Sequence, residues 1–284
     1  MSARPTKTSP ARGARISVGI GSWTDKEYKG LLYPKGLPDN QRLATYATWF
    51  DHIEVNASYH RIPPLAFVKN WVKQTPANFI FDFKLSREIS GNPEARARDG
   101  RQVTQLLRSA RPLIDAGKLG TFFLVLPPSF GPEKHQLEEL DLLVDKLQPH
   151  MLAVELRHSG WVAGGQCEQT LDYFRARKLV WIATDMPRIK GSTLMPPVDE
   201  VTNPQLAYLR LHGRRKDWLT LKDAKSKHSY EYSKKELNEI VGRVKTLAKQ
   251  AQTVHVVANN HAQDFAPKTA LALQRLLGIE RRRG

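Results

Sequence analysis

MLAVELRH (151–158) sets Leu152, Val154 and Leu156 against Ala153, Glu155 and Arg157, residue by residue. Successive side chains of a strand point to opposite faces. This run therefore offers one wholly apolar face and one face that carries charge. Seven other short runs, rich in β-branched and apolar residues, have strand length: ISVGIGSW (16–23), HIEVN (52–56), FIFDFKLS (79–86), TFFLVLP (121–127), LVWIATDMP (179–187), LAYLRLHG (206–213) and TVHVVANN (253–260). Helical spacing fills most of the intervals. Leu137, Leu140, Leu143, Val144 and Leu147 fall on one face of 133–147, and similar patterns occupy 40–50, 65–74, 101–116, 166–177, 233–250 and 266–277. Pro112 marks a kink or a division in the third of these. The interval 188–205, with Gly191, Pro196, Pro197 and Pro204, reads as loop or one short turn of helix. Strands alternating with helices imply parallel strands joined by crossovers. Eight such units in about 250 residues fit an α/β fold, the closed TIM-type (β/α)8 barrel, as a single domain. An open doubly wound sheet is the alternative, but GIGSW lacks the G-x-G-x-x-G spacing that holds a dinucleotide.

The chain has 284 residues, 40% of them hydrophobic and 25% charged. That is the balance of a globular protein with a sizeable core, which excludes wholesale disorder and small stapled scaffolds. The single cysteine, Cys167, excludes an intramolecular disulfide and a thiolate metal cluster. Cys167 sits at a helix start with no histidine or second cysteine near it in sequence, and reads as incidental. No apolar run approaches the ~20 residues of a membrane span. The expectation is a cytoplasmic protein with no membrane partner, since 1–15 lacks the apolar stretch of a secretory signal. Lys and Arg total 44 against 28 acids, for a formal net charge of +16. Part of that charge lies in a basic, flexible N-terminal arm (1–15) and a basic C-terminal tail (279–284), flanking a barrel over 16–278. A second concentration is the insert RRKDWLTLKDAKSKHSYEYSKKE (214–236), after the seventh run.

The alternation rule sorts the polar residues of the other runs. Ile53 and Val55 face the helices, leaving Glu54 and Asn56 inside; Phe79, Phe81 and Phe83 leave Asp82, Lys84 and Ser86 inside. Ala207, Leu209 and Leu211 leave Tyr208, Arg210 and His212, and Val254, Val256 and Ala258 leave His255, Val257 and Asn259. Ile16, Val18 and Ile20 leave Gly19, Gly21 and Trp23. The sixth run groups Asp185 with Trp181 and Ala183, and the fourth gives no polar contrast. The expected inner set thus holds Glu54, Asp82, Glu155, Asp185, Lys84, Arg157 and Arg210 with two imidazoles and two amides. Buried charges are costly unless paired or needed. These fall toward the C-terminal ends of their strands, the rim where barrel active sites sit.

The same residues carry a family likeness. GIGSW, YPKGLP, IEVNASYHRIP, FDFKLSREIS, LPPSF, AVELRHSGW, TDMP, YLRLHG and ANNH…AP…A, in that order over about 16–278, resemble the YecE-like family, the domain of unknown function DUF72. The resemblance implies a TIM-barrel-type fold and implies no established activity or cofactor. The family's recurrent polar positions correspond to Trp23, Glu54, Asn56, Tyr59, Lys84, Glu155, Arg157, Trp161, Asp185, Arg210, His212, Asn259 and Asn260. Ala57 and Ser58 stand where the family often has Ser or Thr and Phe, a change that removes no titratable group.

These residue types suggest an enzyme that performs acid–base catalysis on a small anionic or sugar-like substrate. Glu54 and Glu155 are the expected proton carriers, with Asp185 and His212 completing the catalytic set. The bland alternative is that each glutamate braces the barrel in a salt bridge, Glu155 with Arg210 or Glu54 with Lys84. Lys84, Arg157 and Arg210 are suited to hold negative charge. A Schiff base at Lys84 would need a depressed pKa, which the nearby acids oppose. Asn56 and Asn259 would orient the substrate. Trp23, Tyr59 and Trp161 would form aromatic walls, against ordinary packing beneath loops. Asp185, His212 and the glutamates could form an oxygen-rich metal site. No metal-binding spacing supports it, so a metal-free site is expected. His255, between two valines, reads as a core histidine. A second hypothesis is nucleic-acid binding or processing through the insert and tails, whose Trp218, Tyr230 and Tyr232 would stack on bases. A third is a non-catalytic ligand-binding barrel.

Overall fold

A computed structural model describes residues 13–260 and 262–279. Eight parallel strands close on themselves in sequence order. They are β1 (Arg15–Ile20), β2 (His52–Val55), β3 (Ile80–Lys84), β4 (Leu119–Val125), β5 (Leu152–Glu155), β6 (Val180–Asp185), β7 (Leu206–Leu211) and β8 (Thr253–Ala258). Around them run α1 (Arg42–Ala47), α2 (Leu65–Gln74), α3 (Arg87–Gly91), α4 (Pro93–Asp99), α5 (Arg101–Asp115), α6 (Asp141–Leu147), α7 (Gln166–Ala176), α8 (Ala224–Lys227), α9 (Lys234–Leu247) and α10 (Phe265–Leu276). This is the single-domain (β/α)8 barrel that the alternation predicts. Pro112 lies inside α5 without dividing it. The break comes earlier, at Gly100, whose φ of 75° ends α4. The short helices α3 and α4 were not legible, because REISGNPEARARD has no apolar stripe. Their starts are set by caps instead: the Ser86 hydroxyl accepts from Ile89 N–H and the Asn92 side-chain Oδ1 from Ala95 N–H.

Two apolar layers separate cleanly. Alternate strand residues such as Val18, Ile53, Phe81, Phe83, Leu152, Val154, Leu209 and Val256 meet the helices in the large outer core. Phe123, Val125, Ala153, Val180, Ile182, Leu206, Tyr208 and Val257 form a small plug inside the barrel. β4, without polar contrast in the sequence, thus turns Phe123 and Val125 inward. β6 connects to β7 through 186–205 without a helix. Polar groups hold that segment in place. The Thr202 hydroxyl donates to Leu179 C=O and accepts from Trp181 N–H, and the Asn203 amide donates to Lys178 C=O.

Inside the barrel toward the strand N-termini, Asp82 Oδ2 accepts from His52 Nε2 at 2.6 Å and from His255 Nδ1 at 2.8 Å. The backbone N–H of Thr121 reaches the other oxygen at 3.1 Å. Here β3 and β4 slip register, between Phe81 and Phe83. Gly120 sits at the slip, and a Cβ there would collide with the Asp82 carboxylate. His255 is the satisfied core histidine that its valine neighbours suggest.

β1 begins at Arg15, which pairs with Asp51 at 2.9 Å. The other arm cations, Arg4, Lys7 and Arg12, and the tail cations Arg281, Arg282 and Arg283 lie outside the described residues. Among the described residues no helix is long and apolar enough to cross a membrane.

Candidate functional site at the C-terminal rim

β7 delivers Arg210 to the barrel axis, where it is 1% exposed. Its guanidinium binds two carboxylates at once. Nε and Nη2 donate to the two oxygens of Glu54 at 2.7 and 2.8 Å, and Nη1 donates to Glu155 Oε2 at 2.5 Å. Tyr208 O–H adds a bond to Glu54 at 2.9 Å. Arg157 Nε takes the other oxygen of Glu155 at 2.7 Å. His212 completes the set: Asn259 Nδ2 donates to its Nδ1 at 3.0 Å, which leaves the proton on Nε2 for Glu155 at 3.2 Å. Burial alone would push Glu155 up. The charges of Arg210 and Arg157, with the hydrogen bond from His212, overrule burial and hold the carboxyl well below the usual range. Burial lowers His212, so its imidazole stays neutral at pH 7.

This network is the floor of a cavity of about 460 Å³. Its walls come from the loops after several strands: Gly21, Ser22 and Asp25 after β1, Asn56, Tyr59 and His60 after β2, Lys84 and Val125 at the ends of β3 and β4, Arg157 after β5, Ala224 and His228 from the insert, and Asn259 after β8. Gly21 is needed there, since a Cβ would lie 2.6 Å from the Asn56 amide and 2.9 Å from the Asn259 oxygen. Buried Ser58 lies 2.7 Å from the carbonyls of both Val55 and Lys84, tying the turn after β2 to the end of β3.

Lys84 Nζ makes no hydrogen bond or salt bridge among the described residues. It lies 4.4 Å from the Tyr59 ring centroid and 6.0 Å from that of Phe123. Burial, reinforced by the charges of Arg210 and Arg157, lowers its pKa to about 7 against the weaker pull of Glu54 and Glu155. The expectation that nearby acids oppose a depressed pKa at this lysine is therefore corrected: both carboxylates are committed to Arg210. Glu54 and Glu155 take the bracing arrangement, with Glu54 on Arg210 and Tyr208 rather than on Lys84.

Of the expected site residues, Asn56, Tyr59, Lys84, Arg157, Arg210 and Asn259 converge on the cavity, and Glu54, Glu155 and His212 support it from below. Three do not join them. Asp185 faces the helices, in phase with Trp181 and Ala183 in the outer core. There it accepts from Arg214, from Arg243 at 2.9 Å and from Tyr232 O–H at 2.9 Å. β6 is apolar on both faces, so the rule that polar means inward fails for it. The metal set built on Asp185 does not assemble for the same reason. Trp23 lies beyond the end of β1, where alternation no longer applies, and packs edge-on against Trp71 at 5.2 Å. Trp161 sits in a turn after β5, donates Nε1–H to Phe130 C=O at 2.7 Å and stacks on the Phe130 ring. Both tryptophans are packing residues. Asn260 holds Tyr230 C=O and the Thr269 hydroxyl, tying the insert to α10. Sequence reasoning missed Asp25, His60 and His228, which lie in loops where no periodicity points to a face.

Among the described residues the metal-like cluster is His52, Asp82 and His255, whose ligand atoms lie within 4.8 Å of one another. Asp82 joins both imidazoles by hydrogen bonds, leaving His52 Nδ1 buried without a partner among the described residues, and the cluster lies apart from the rim cavity. In the insert, Arg214, Arg215 and Lys225 pair with Asp185, Asp217 and Glu27. Trp218 and Tyr232 are buried, so they form no stacking platform.

A family model described as "Protein of unknown function DUF72" matches residues 17–283. The UPF0759 protein YunF of Bacillus subtilis (strain 168) is 26% identical over 273 residues, covering 93% of this chain and 95% of that protein. The UPF0759 protein YecE of Escherichia coli (strain K12) is 32% identical over 158 residues, 55% of this chain and 54% of that protein. A crystal structure of a DUF72 family protein from Enterococcus faecalis V583 superposes with a TM-score of 0.82 at 28% identity, covering 93% of this chain and 96% of that one. Another, from Thermotoga maritima MSB8, gives 0.79 at 25% identity, covering 93% and 99%.

Proposed function

The chain belongs to the DUF72 family, and on that premise we propose that it is an enzyme that binds a small anionic substrate at the barrel rim and works on it by proton transfer. One observation carries this reading: the cavity holds two cationic groups whose charge the floor does not consume. Arg157 commits Nε to Glu155 and keeps a quarter of its side chain exposed, with Nη1 and Nη2 unpartnered among the described residues. Lys84 has no salt-bridge partner among the described residues. An arginine fork and an amine in one pocket suit a carboxylate or phosphate.

Glu54 spends both oxygens on Arg210 and Tyr208, and Glu155 does not suit general acid–base work. Glu155 is held ionised far below neutrality. A proton carrier works best with a pKa near the operating pH, and Lys84 meets that condition. Arg157 holds the anion, Asn56 and Asn259 orient it, and the Arg210 network keeps all of them in place. A sugar platform has less support, since Trp23 and Trp161 are occupied in packing. Nucleic-acid binding through the insert also has less support, because its aromatics are buried or half-buried and several of its cations are paired.

The test is a thermal-shift panel of small carboxylates and phosphates on the native chain and on Arg157→Met. A ligand at about 100 times its dissociation constant adds about 2.7 kcal/mol of stability. A subset of anions should raise the Tm of the native chain and leave Arg157→Met unmoved. Equal shifts in both proteins, or none in either, contradict the reading.

A further inference from the structure

Lysine in a binding pocket normally finds an acid. In this barrel the two acids nearest the rim are bound to one guanidinium, and Lys84 is left facing the Tyr59 and Phe123 rings. We propose that Lys84 is a covalent nucleophile that condenses with the carbonyl group of an anionic aldehyde or 2-oxo acid bound at the rim. The inference rests on the reading of the rim as an anion site and adds the identity of the reacting group.

Four features support it. The amine stands at the C-terminal end of β3, so the barrel fixes its approach, and Ser58 pins the Lys84 carbonyl. No hydrogen bond from Nζ has to be broken before attack. Phe123 and Val125 make one flank apolar, where a neutral imine is favoured over its hydrated precursor. Arg157 lines the same cavity and can hold the carboxylate or phosphate of the substrate while the carbonyl carbon meets Nζ.

The step balances without a further reagent. The nitrogen lone pair adds to the carbonyl carbon, the C=O π pair moves to oxygen, and oxygen gains a proton as nitrogen loses one. The nitrogen lone pair then expels the hydroxyl, which leaves as water after gaining a second proton, and the nitrogen of the resulting iminium gives up its remaining proton, so that no proton is consumed overall. Amine plus carbonyl gives imine plus water, with no change of oxidation state. Protonated, the imine draws electrons from the neighbouring carbon, which links this step to the proton transfer of the proposed activity. The attacking form is abundant: with a pKa of about 7, roughly half of Lys84 is neutral at pH 7, against roughly one in a thousand or fewer for a solvated lysine.

The experiment treats the full chain at pH 7 with glyoxylate or pyridoxal 5′-phosphate, reduces it with borohydride and maps the labelled lysines by mass spectrometry. Binding of pyridoxine 5′-phosphate, which has the anion and no carbonyl, is measured in parallel by calorimetry. Lys84→Met and Lys84→Arg serve as comparisons, with folding checked by circular dichroism. The expected result is about one label per chain, on Lys84, formed at least tenfold faster than on any other lysine and blocked by pyridoxine 5′-phosphate. Labelling of Lys84 no faster than of surface lysines, with pyridoxine 5′-phosphate still bound, overturns the nucleophile and leaves the anion site standing. Failure of all three compounds to bind overturns both.

Discussion

Lys84 faces Arg210 from β7, Arg157 after β5, and the partnered carboxylates of Glu54 and Glu155. The native state disfavours its proton, whereas the unfolded chain holds that proton up to about pH 10.4. Unfolding between pH 7 and about 9.5 therefore takes up a proton, and this group makes stability rise with pH across that window. Lys84→Met should remove the rise and increase stability at pH 7 by about 1–3 kcal/mol, as read by urea denaturation. The same variant should lose the borohydride label, the pairing expected of a strained functional residue. Glu155 behaves in the opposite way. Glu155→Gln takes one carboxylate from a buried guanidinium, and should cost about 3 kcal/mol in the same assay. A Glu155→Gln variant as stable as the native chain would show that the bracing network contributes little. Both residues were legible as inward and polar from alternation. Their roles were not, because spacing cannot reveal which acid a given cation takes.

At the scale of elements, six of the eight strands declared their inner face and β4 and β6 did not; in β6 the ambiguity misplaced a site residue. Val180 and Ile182 on one side and Trp181 and Ala183 on the other are all apolar, so the sign of the alternation is undetermined and Asp185 was placed on the wrong side. What makes its outward position tolerable lies far off in sequence. Arg214 opens the insert and Arg243 lies on α9, and both reach the Asp185 carboxylate. Arg243 also binds Asp199 at 2.7 Å in the segment that replaces a helix between β6 and β7. One acid thus joins three irregular or peripheral pieces to β6. Asp185→Asn should loosen them together, at a cost of about 1–3 kcal/mol. Amide hydrogen exchange should rise across 186–205 and 214–232 while β1–β5 stay protected. Uniform exchange through the whole chain would assign Asp185 to global stability instead. The insert itself was legible as basic, but not as a cavity wall: His228 and Ala224 reach the site by a loop path that no periodicity encodes.

Across the whole molecule the barrel interior is layered: a His–Asp–His cluster toward the strand N-termini, an apolar plug, then the Arg210 network and the open cavity. The layers predict how stability follows pH. Burial opposes the charge on Asp82, but His255 and His52 hold its carboxyl below the usual range, so its contribution is present above about pH 4 and lost as pH falls further. Burial lowers His255 and His212, whose contributions weaken as pH falls below about 6.5. His52 runs the other way: Asp82 outweighs burial and raises it, so its contribution is complete below about 6.5 and fades as pH rises through its folded value. The native urea midpoint should therefore decline modestly from pH 7 to 5 and steeply below 4. Asp82→Asn should be less stable at pH 7 and show a shallower slope below 4. Equal slopes in the two proteins would contradict the assignment.

The claim beneath all of this is that the unspent positive charge of the barrel is gathered in one rim cavity. A crystal of the protein soaked in tungstate, a heavy tetrahedral dianion, tests it directly through the anomalous signal. The expected result is one dominant peak inside the cavity, about 3 Å from the Arg157 Nη atoms and the Lys84 amine. An empty cavity, with the strongest peaks beside Lys216, Lys222 or Lys227 on the insert, would contradict it.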